Sequence, residues 1–313
     1  MFAYTLRRLL LTIPVMLVVA FFVFGLLELT PGDPAILLAG EDATAQDIAR
    51  IRMTLGLDQP FFMRFVGWFW NVLHGNLGDS IFTGLAVSQM IAQRLTPTIS
   101  LMLMTLVFSV LIAIPLGAVA AWRHHRAADR IIMMGAVLSF SAPSFVVGYL
   151  LAWAFGLEFR WLPVQGYVPL SEGFWPSFRT LILPTLALCS VYVALITRIT
   201  RASLLETLTQ DYIRTARAKG VGNKGILFRH ALKNVAVPIT TVVGSGVALL
   251  VSGAVVTETV FSIPGVGRLT VDAILRRDYP VIQGVILMFS FMYVLINLGV
   301  DLLYRAFDPR IRY

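Results

Sequence analysis

The chain has 313 residues, 58% of them hydrophobic and 13% charged, with a formal net charge of +8. Soluble domains carry about 25% charged residues, so the composition excludes an ordinary aqueous fold. The apolar run lengths argue for one membrane-embedded unit over 1–313 rather than two soluble domains. The excess base reads as topology-setting Lys and Arg, not nucleic-acid binding, because no separate basic domain exists.

The chain opens on MFAYTLRRLLLTIPVMLVVAFFVFGLLELT. Its apolar stretch from Leu9 to Leu29 outruns the roughly 7–15 residues of a signal-peptide core, and no small-x-small cleavage site follows it promptly. It is expected to stay as a first membrane helix. A span needs about 20 mainly apolar residues. Six stretches qualify, at about 9–29, 98–122, 131–155, 180–200, 235–257 and 282–303. Prolines 14, 115, 143, 184 and 238 fall in or at the ends of these spans, which membrane helices tolerate when neighbours satisfy the freed carbonyls. The lone cysteine, Cys189, sits in an apolar run and permits no intrachain disulfide.

Between the first two spans, segment 31–97 is expected to hold short helices. TAQDIARIRMTLGL sets Ile48, Ile51, Leu55 and Leu57 near one helical face. The following run gathers Phe61, Phe62, Phe65, Trp68, Phe69 and Trp70. Such a helix either lies at the membrane interface or packs on its own bundle.

Orientation follows from the bases. Arg7 and Arg8, Arg123 to Arg130, Arg198 to Lys233, and Arg305 to Arg312 fall on one side of the six-span map. The other side holds most of the acids, including Asp33, Glu41, Asp42, Glu258, Asp272 and Asp278. The basic side is cytoplasmic by the positive-inside rule, which puts both termini inside.

Several chemistries are missing. No Gly-Lys dipeptide occurs, so no Walker phosphate loop is present. Neither H-E-x-x-H nor G-x-S-x-G occurs, and no nucleophile–base pair is evident. His124 and His125 are adjacent and share no helical face, so a solvated or headgroup-facing pair is expected rather than a metal site. Glu28, Arg198, Glu258 and Asp301 sit near span ends, where snorkelling or interfacial water suffices. A proton relay or charged-ring channel thus has little to work with.

The most basic stretch is DYIRTARAKGVGNKGILFRHALKNVAVPI, residues 211–239. Asp211 to Lys219 is expected to form about two helical turns, with Gly220 as a left-handed stop. Asn223 is expected to cap a second helix running to about Asn234. The product is a helix–turn–helix, either a docking knob for a partner or a basic patch on anionic lipid. YIRTARAKG resembles the cytoplasmic-loop signature of ABC-importer membrane subunits, in the variant of the dipeptide/oligopeptide/nickel importer permeases. Arg214 and Thr215 stand where the motif has Glu and its first Ala; Ala216 and Gly220 match directly. The Arg214 departure is usual in that subfamily.

The resemblance extends along the chain. It includes LTPGDPA (29–35), LGLDQPFFMRFVGWFWNVLHGNLGDS (55–80), SFSAPSFVVG (139–148), RWLPVQG (160–166), LPTLAL (183–188), ETVFSIPGVGRL (258–269), RDYPVIQG (277–284) and the terminal FDPRIRY. It implies an all-α type I importer permease fold in the bacterial inner membrane. The implied assembly pairs a second, homologous permease with two cytoplasmic ATPases that carry the ATP and Mg. A periplasmic or lipid-anchored binding protein delivers substrate. This chain would hold no cofactor or metal and catalyse nothing. Arg214, Thr215, Ala216, Arg217, Ala218, Lys219 and Gly220, within the loop 201–234, would couple to an ATPase, with small Ala216 at the closest approach.

A translocation path needs polar or small groups on otherwise oily faces. Ser139, Ser141 and Ser144 in the third span, and Thr241, Ser245 and Ser252 in the fifth, are candidates. Plain helix packing favours the same residues, including the Gly244, Ala248, Ser252 spacing. Ser262, Pro264, Gly265 and Gly267 are candidates for an external gate or a binding-protein contact, or for a simple re-entrant turn. Peptides are the leading substrate; nickel, glutathione, opines and oligosaccharides fit the same plan. A secondary carrier or channel is the alternative of another class, and it would need intramembrane charge or inverted repeats.

Overall fold

A computed structural model describes residues 2–29, 35–36, 44–54 and 57–307. The core of LTPGDPA, Leu55, Asp33, Glu41, Asp42 and the terminal residues after Phe307 lie outside the described residues. Among the described residues the fold is helical and has no strand beyond an isolated Asp79–Ala86 bridge.

In chain order the helices are α1 (Phe2–Leu29), α2 (Ala45–Thr54), α3 (Phe61–Leu73), α4 (Val87–Trp122), α5 (Ala127–Ser141) and α6 (Ser144–Leu151), which continues as a π-helix over Ala152–Glu158. Then come α7 (Phe174–Leu208), α8 (Asp211–Ala218), a composite α9 over 223–234 whose middle, Ile226–Ala231, is π-helical, α10 (Ala236–Val260), α11 (Val266–Arg276) and α12 (Tyr279–Phe307). Four of them, α4, α7, α10 and α12, are long and apolar enough to cross a membrane, and α5 with α6 makes a fifth if the bent pair is one span. In α1 the described apolar stretch is Leu10–Gly25, so that length-based count does not reach six.

The third expected span, 131–155, is not straight. It is α5 and α6, bent by 102°. Ala142 and Pro143 both adopt extended ψ angles, 124° and 135°. Proline has no N–H to continue the ladder, and its ring drives the preceding residue out of the helical region. Pro14, Pro115 and Pro184 sit inside helices that continue past them, so Pro143 alone among the prolines flagged in the sequence ends one.

The chain forms two compact units, Met1–Arg94 with Leu269–Val294, and Leu95–Arg268 with Leu295–Tyr313. In the first, α3 uses both of its faces. Phe61, Phe65 and Trp68 pack on Phe21 and Phe24 of α1 at ring-centroid distances of 5.2–5.7 Å. Met63, Val66, Trp70 and Leu73 remain exposed on the other side, and Phe62, also exposed, flanks the contact with its ring 6.5 Å from that of Phe21. The packing reading is therefore met by one face of this helix, while the other leaves large apolar side chains exposed. The same unit is pinned by Asp278, which precedes α12. Its carboxylate accepts the Ser80 hydroxyl at 2.5 Å and the Ile81 N–H at 3.2 Å.

In the second unit α7 is central. Of its most apolar window 61% is buried, against a third or less for α4 and α10, and it packs on α5, α6 and α10. Small residues set the close crossings. A Cβ at Gly117 would fall 2.7 Å from Thr200, and one at Gly246 would overlap the Tyr192 ring. Such residues let helices approach where apolar burial alone gives no driving force. The Tyr192 hydroxyl donates to the Val243 carbonyl, satisfying a buried polar group.

Candidate coupling element, path and outer segment

The helix–turn–helix forms where it was expected. α8 ends in a Schellman turn: Val221 N–H donates to the Ala216 carbonyl and Gly220 N–H to that of Arg217, with Gly220 at φ +83°. The second helix starts differently from expectation. Asn223 is its first residue, the preceding Gly222 holds the cap position, and no side chain caps it.

The faces of α8 are sharply divided. Asp211, Arg214, Thr215, Arg217, Ala218, Lys219 and Gly220 are exposed, whereas Ile213 and Ala216 are buried. Ala216 is 8% exposed and lies on the side that packs against the π-helix of α9. Ala216, expected at the closest approach to a partner, is thus buried within this chain. Residues three apart on a helix share a face, so Ile213 and Ala216 form one inward seam and the charged residues the outward one.

The seam is tied down. Asn234 Nδ2 donates to the Tyr212 hydroxyl at 2.7 Å and to the His230 carbonyl at 2.9 Å. Ala231, Val235 and Ile239 then join one buried cluster with Ala118 and Ala121 of α4 and Leu204 of α7. α8 thus touches the π-helix of α9, and the end of α9 in turn joins α4, α7 and α10 in this cluster. Nearby, Arg201 of α7 grips Asp129 of α5 with Nε–Oδ1 2.6 Å and Nη2–Oδ2 2.9 Å. His124 Nδ1 lies 3.2 Å from that carboxylate and 3.0 Å from Arg201. His124 is therefore held by protein rather than simply solvated, and among the described residues no metal-binding cluster occurs.

The candidate path residues fall in two groups. On α10, Thr241, Ser245 and Ser252 are exposed along one side, and Thr241 and Ser245 turn their hydroxyls to the carbonyls of Val237 and Val242. Gly244 is buried instead, with a Cβ there meeting Val300 at 2.3 Å. The small-residue spacing is thus split between a packing face and a polar stripe. Ser139 and Ser144 are half-buried around the α5–α6 bend, while Ser141 is exposed and bonds the Val137 carbonyl at 2.9 Å.

The outer segment departs most from the sequence reading. Glu258 does not sit in interfacial water; it is 0% exposed. Oε1 accepts the Thr98 hydroxyl at 2.6 Å and Oε2 accepts the Arg268 N–H at 3.0 Å. Thr98 in turn accepts the Val266 N–H at 2.8 Å. Gly265 and Gly267 are buried against this carboxylate, and Cβ atoms there would lie 2.2 Å and 2.9 Å from it. Ser262 is half-buried at φ +52°, and Pro264 is exposed.

Comparison with known proteins decides the family. The domain described as "Binding-protein-dependent transport system inner membrane component" matches residues 113–313, and its N-terminal companion domain matches residues 1–102. The chain belongs to this permease family. It is 52% identical to the probable peptide ABC transporter permease protein y4tP of Sinorhizobium fredii, over 99% of each chain. It is 44% identical to the putative peptide transport system permease protein BAB2_1050 of Brucella abortus and 42% identical to the glutathione transport system permease protein GsiC of Salmonella typhi, over the full length of both chains in each case. An inward-facing structure of the MetNI methionine ABC transporter aligns with a TM-score of 0.59, covering 70% of this chain and 97% of that one at 14% identity. That likeness supports the type I importer fold. The permease is a multi-pass inner-membrane protein, and its family comprises transport-system components rather than enzymes.

Of the residues that organise this permease, Thr98, Ser80, Asp129 and Arg201 escaped the sequence reading, and the buried roles of Glu258 and Asp278 escaped it too. The one available signal was an acid inside a 25-residue apolar helix, Glu258 in α10, followed by glycines at 265 and 267. The partner Thr98 lies 160 residues away, beyond the reach of local pattern.

Proposed function

We propose that this permease is half of the membrane path of an ATP-driven peptide importer, paired with a second, homologous permease. A periplasmic or lipid-anchored binding protein delivers the peptide, and two cytoplasmic ATPases bind ATP and Mg. The exposed face of α8 (Arg214, Thr215, Arg217, Ala218, Lys219 and Gly220) is the surface an ATPase grips. The carrying observation is that this face is polar and outward while its back packs on α9, whose end joins α4, α7 and α10 in one apolar cluster. That is the construction a lever needs: one end free for a partner, the other joined to the helices it must move. The polar stripe Thr241, Ser245, Ser252 and the serines at the α5–α6 bend line the path. Segment 262–267 is the outer gate. Counting α1 and the bent pair gives six spans with both termini cytoplasmic, supported by the Lys/Arg asymmetry. The relatives' names favour peptides and include glutathione, itself a short peptide.

Reconstitution tests this reading. The permease is placed in liposomes with the second permease, ATPases and binding protein encoded beside it, and uptake of labelled di- and oligopeptides is measured with competing glutathione. ATP-dependent peptide uptake requiring all components is expected. Uptake that persists without the ATPases overturns the importer reading; ATP-dependent uptake of a non-peptide solute alone overturns only the substrate.

A further inference from the structure

We infer that Glu258 and Thr98 form a latch that holds the outer segment 262–268 shut, and that Glu258 is a positioning residue of the transport cycle. The inference rests on the gate reading of that segment. Three stretches of one unit meet at this carboxylate: the outer half of α4 through Thr98, the end of α10 through Glu258, and the first turn of α11 through Val266 and Arg268. The donor inventory fixes the direction of each bond. Thr98 has one O–H; its oxygen already accepts from Val266 N–H, so the proton goes to Glu258. The second carboxylate oxygen takes the Arg268 N–H. A negative group is thus set at the N-terminal end of an 11-residue helix, where free N–H groups and the helix dipole favour it.

The surroundings leave the carboxylate no solvent and the segment no slack. Phe261, Ile263 and Val266 are each at most 1% exposed, and the two glycines are the only residue type that fits against Glu258 at 265 and 267. A buried carboxylate needs its partners to stay. Moving 262–268 away from both α4 and the end of α10 breaks the Val266–Thr98 bond and the Arg268–Glu258 bond together, which favours two discrete positions over a continuum. That is the property a gate requires.

The chain's one cysteine, Cys189, is buried, so an introduced thiol reports cleanly. The test uses Val266→Cys in the assembled complex with a membrane-impermeant thiol reagent added outside. In the otherwise wild-type chain, labelling should be slow at rest and at least tenfold faster once nucleotide is trapped on the ATPases. Adding Thr98→Val should make resting labelling as fast as the trapped state, with no further response to nucleotide. Thr98→Ser, which keeps the hydroxyl, should restore slow labelling; that rescue separates a latch from general loosening. Glu258→Gln, whose amide keeps one acceptor oxygen for the two donors Thr98 and Arg268, should fall between. If nucleotide does not alter labelling of the wild-type background, the gate reading falls and takes the latch with it. If nucleotide alters labelling but Thr98→Val leaves the resting rate unchanged, the gate stands and the latch is refuted. If Thr98→Ser labels as fast as Thr98→Val, the hydroxyl is not the fastening and the latch is likewise refuted.

Discussion

Between Asp211 and Gly220 every charged side chain points outward, whereas between Glu258 and Val266 the single carboxylate is fully buried. Both stretches nonetheless follow a helix that closes with the same turn. At the end of α10, Ile263 N–H donates to the Glu258 carbonyl and Ser262 N–H to that of Thr259, the pattern seen at Gly220. One turn leaves the charged face of its helix exposed; the other folds the chain back over its own acid. Shared local geometry does not define a shared role here. What differs is where the charged groups sit: buried against donors of this chain at Glu258, exposed along α8.

The strongest way to break this contrast is to fill the socket. Gly265→Val would drive a side chain into the Glu258 carboxyl carbon, 2.2 Å from the new Cβ. The carboxylate must then leave its donors, and breaking a buried, hydrogen-bonded charge costs about 3 kcal/mol or more. The purified complex should show a clear loss of thermal stability or of assembled yield. Wild-type stability in that variant would mean that the segment yields freely and that the carboxylate is not held as described.

A smaller effect should separate the two turns. Nothing lies within 4 Å of a Cβ at Gly220, so Gly220→Ala costs only the left-handed backbone penalty, about 1 kcal/mol. Ser262 already bears that penalty at φ +52°. Ser262→Gly should therefore stabilise, by less than Gly220→Ala destabilises, because glycine's extra freedom in the unfolded chain offsets part of the gain. Thermal midpoints of the two variants should shift in opposite directions. A destabilised Ser262→Gly would show that the serine side chain contributes contacts outweighing its strain.

The contrast also explains what the sequence could reveal. The helix–turn–helix was legible because its signals are local: a basic run, Gly220 as a stop, and helix formers on either side. The apolar spans were legible by composition, yet the break at Pro143 was not, since Pro14, Pro115 and Pro184 carry the same local signal inside continuous helices. The inward turn of Ala216 was missed because a small residue fits a partner's cleft and its own chain's packing equally well. Glu258 was read as a span-end acid, Asp278 only as an acid of the outer side, and Asp129 was not singled out, because their partners, Thr98, Ser80 and Arg201, are far away in sequence. A hydrogen bond spanning 160 or 198 residues leaves no periodicity to detect.

The smallest structural effect should carry one of the largest functional ones. Arg214 and Arg217 are exposed, and the single ion pair of Arg214, to Asp211 at 3.3 Å, joins two exposed groups on adjacent turns. Exposed pairs of this kind contribute little to stability. Arg214→Glu with Arg217→Glu should thus leave the thermal midpoint of the permease nearly unchanged, within the roughly 0.5 kcal/mol of ordinary surface substitutions. The inward seam, Ile213 and Ala216, is untouched, so α8 keeps its anchorage to α9. What changes is the face offered to an ATPase, where two charges reverse sign and like charges now meet if the partner surface is acidic. ATP-driven uptake by the reconstituted complex should fall at least tenfold, or ATP hydrolysis should continue without uptake. If uptake and coupling stay at wild-type levels, the guanidinium groups of α8 are not what the ATPase grips. The basic face is then a lipid-headgroup patch, and the lever must be held elsewhere.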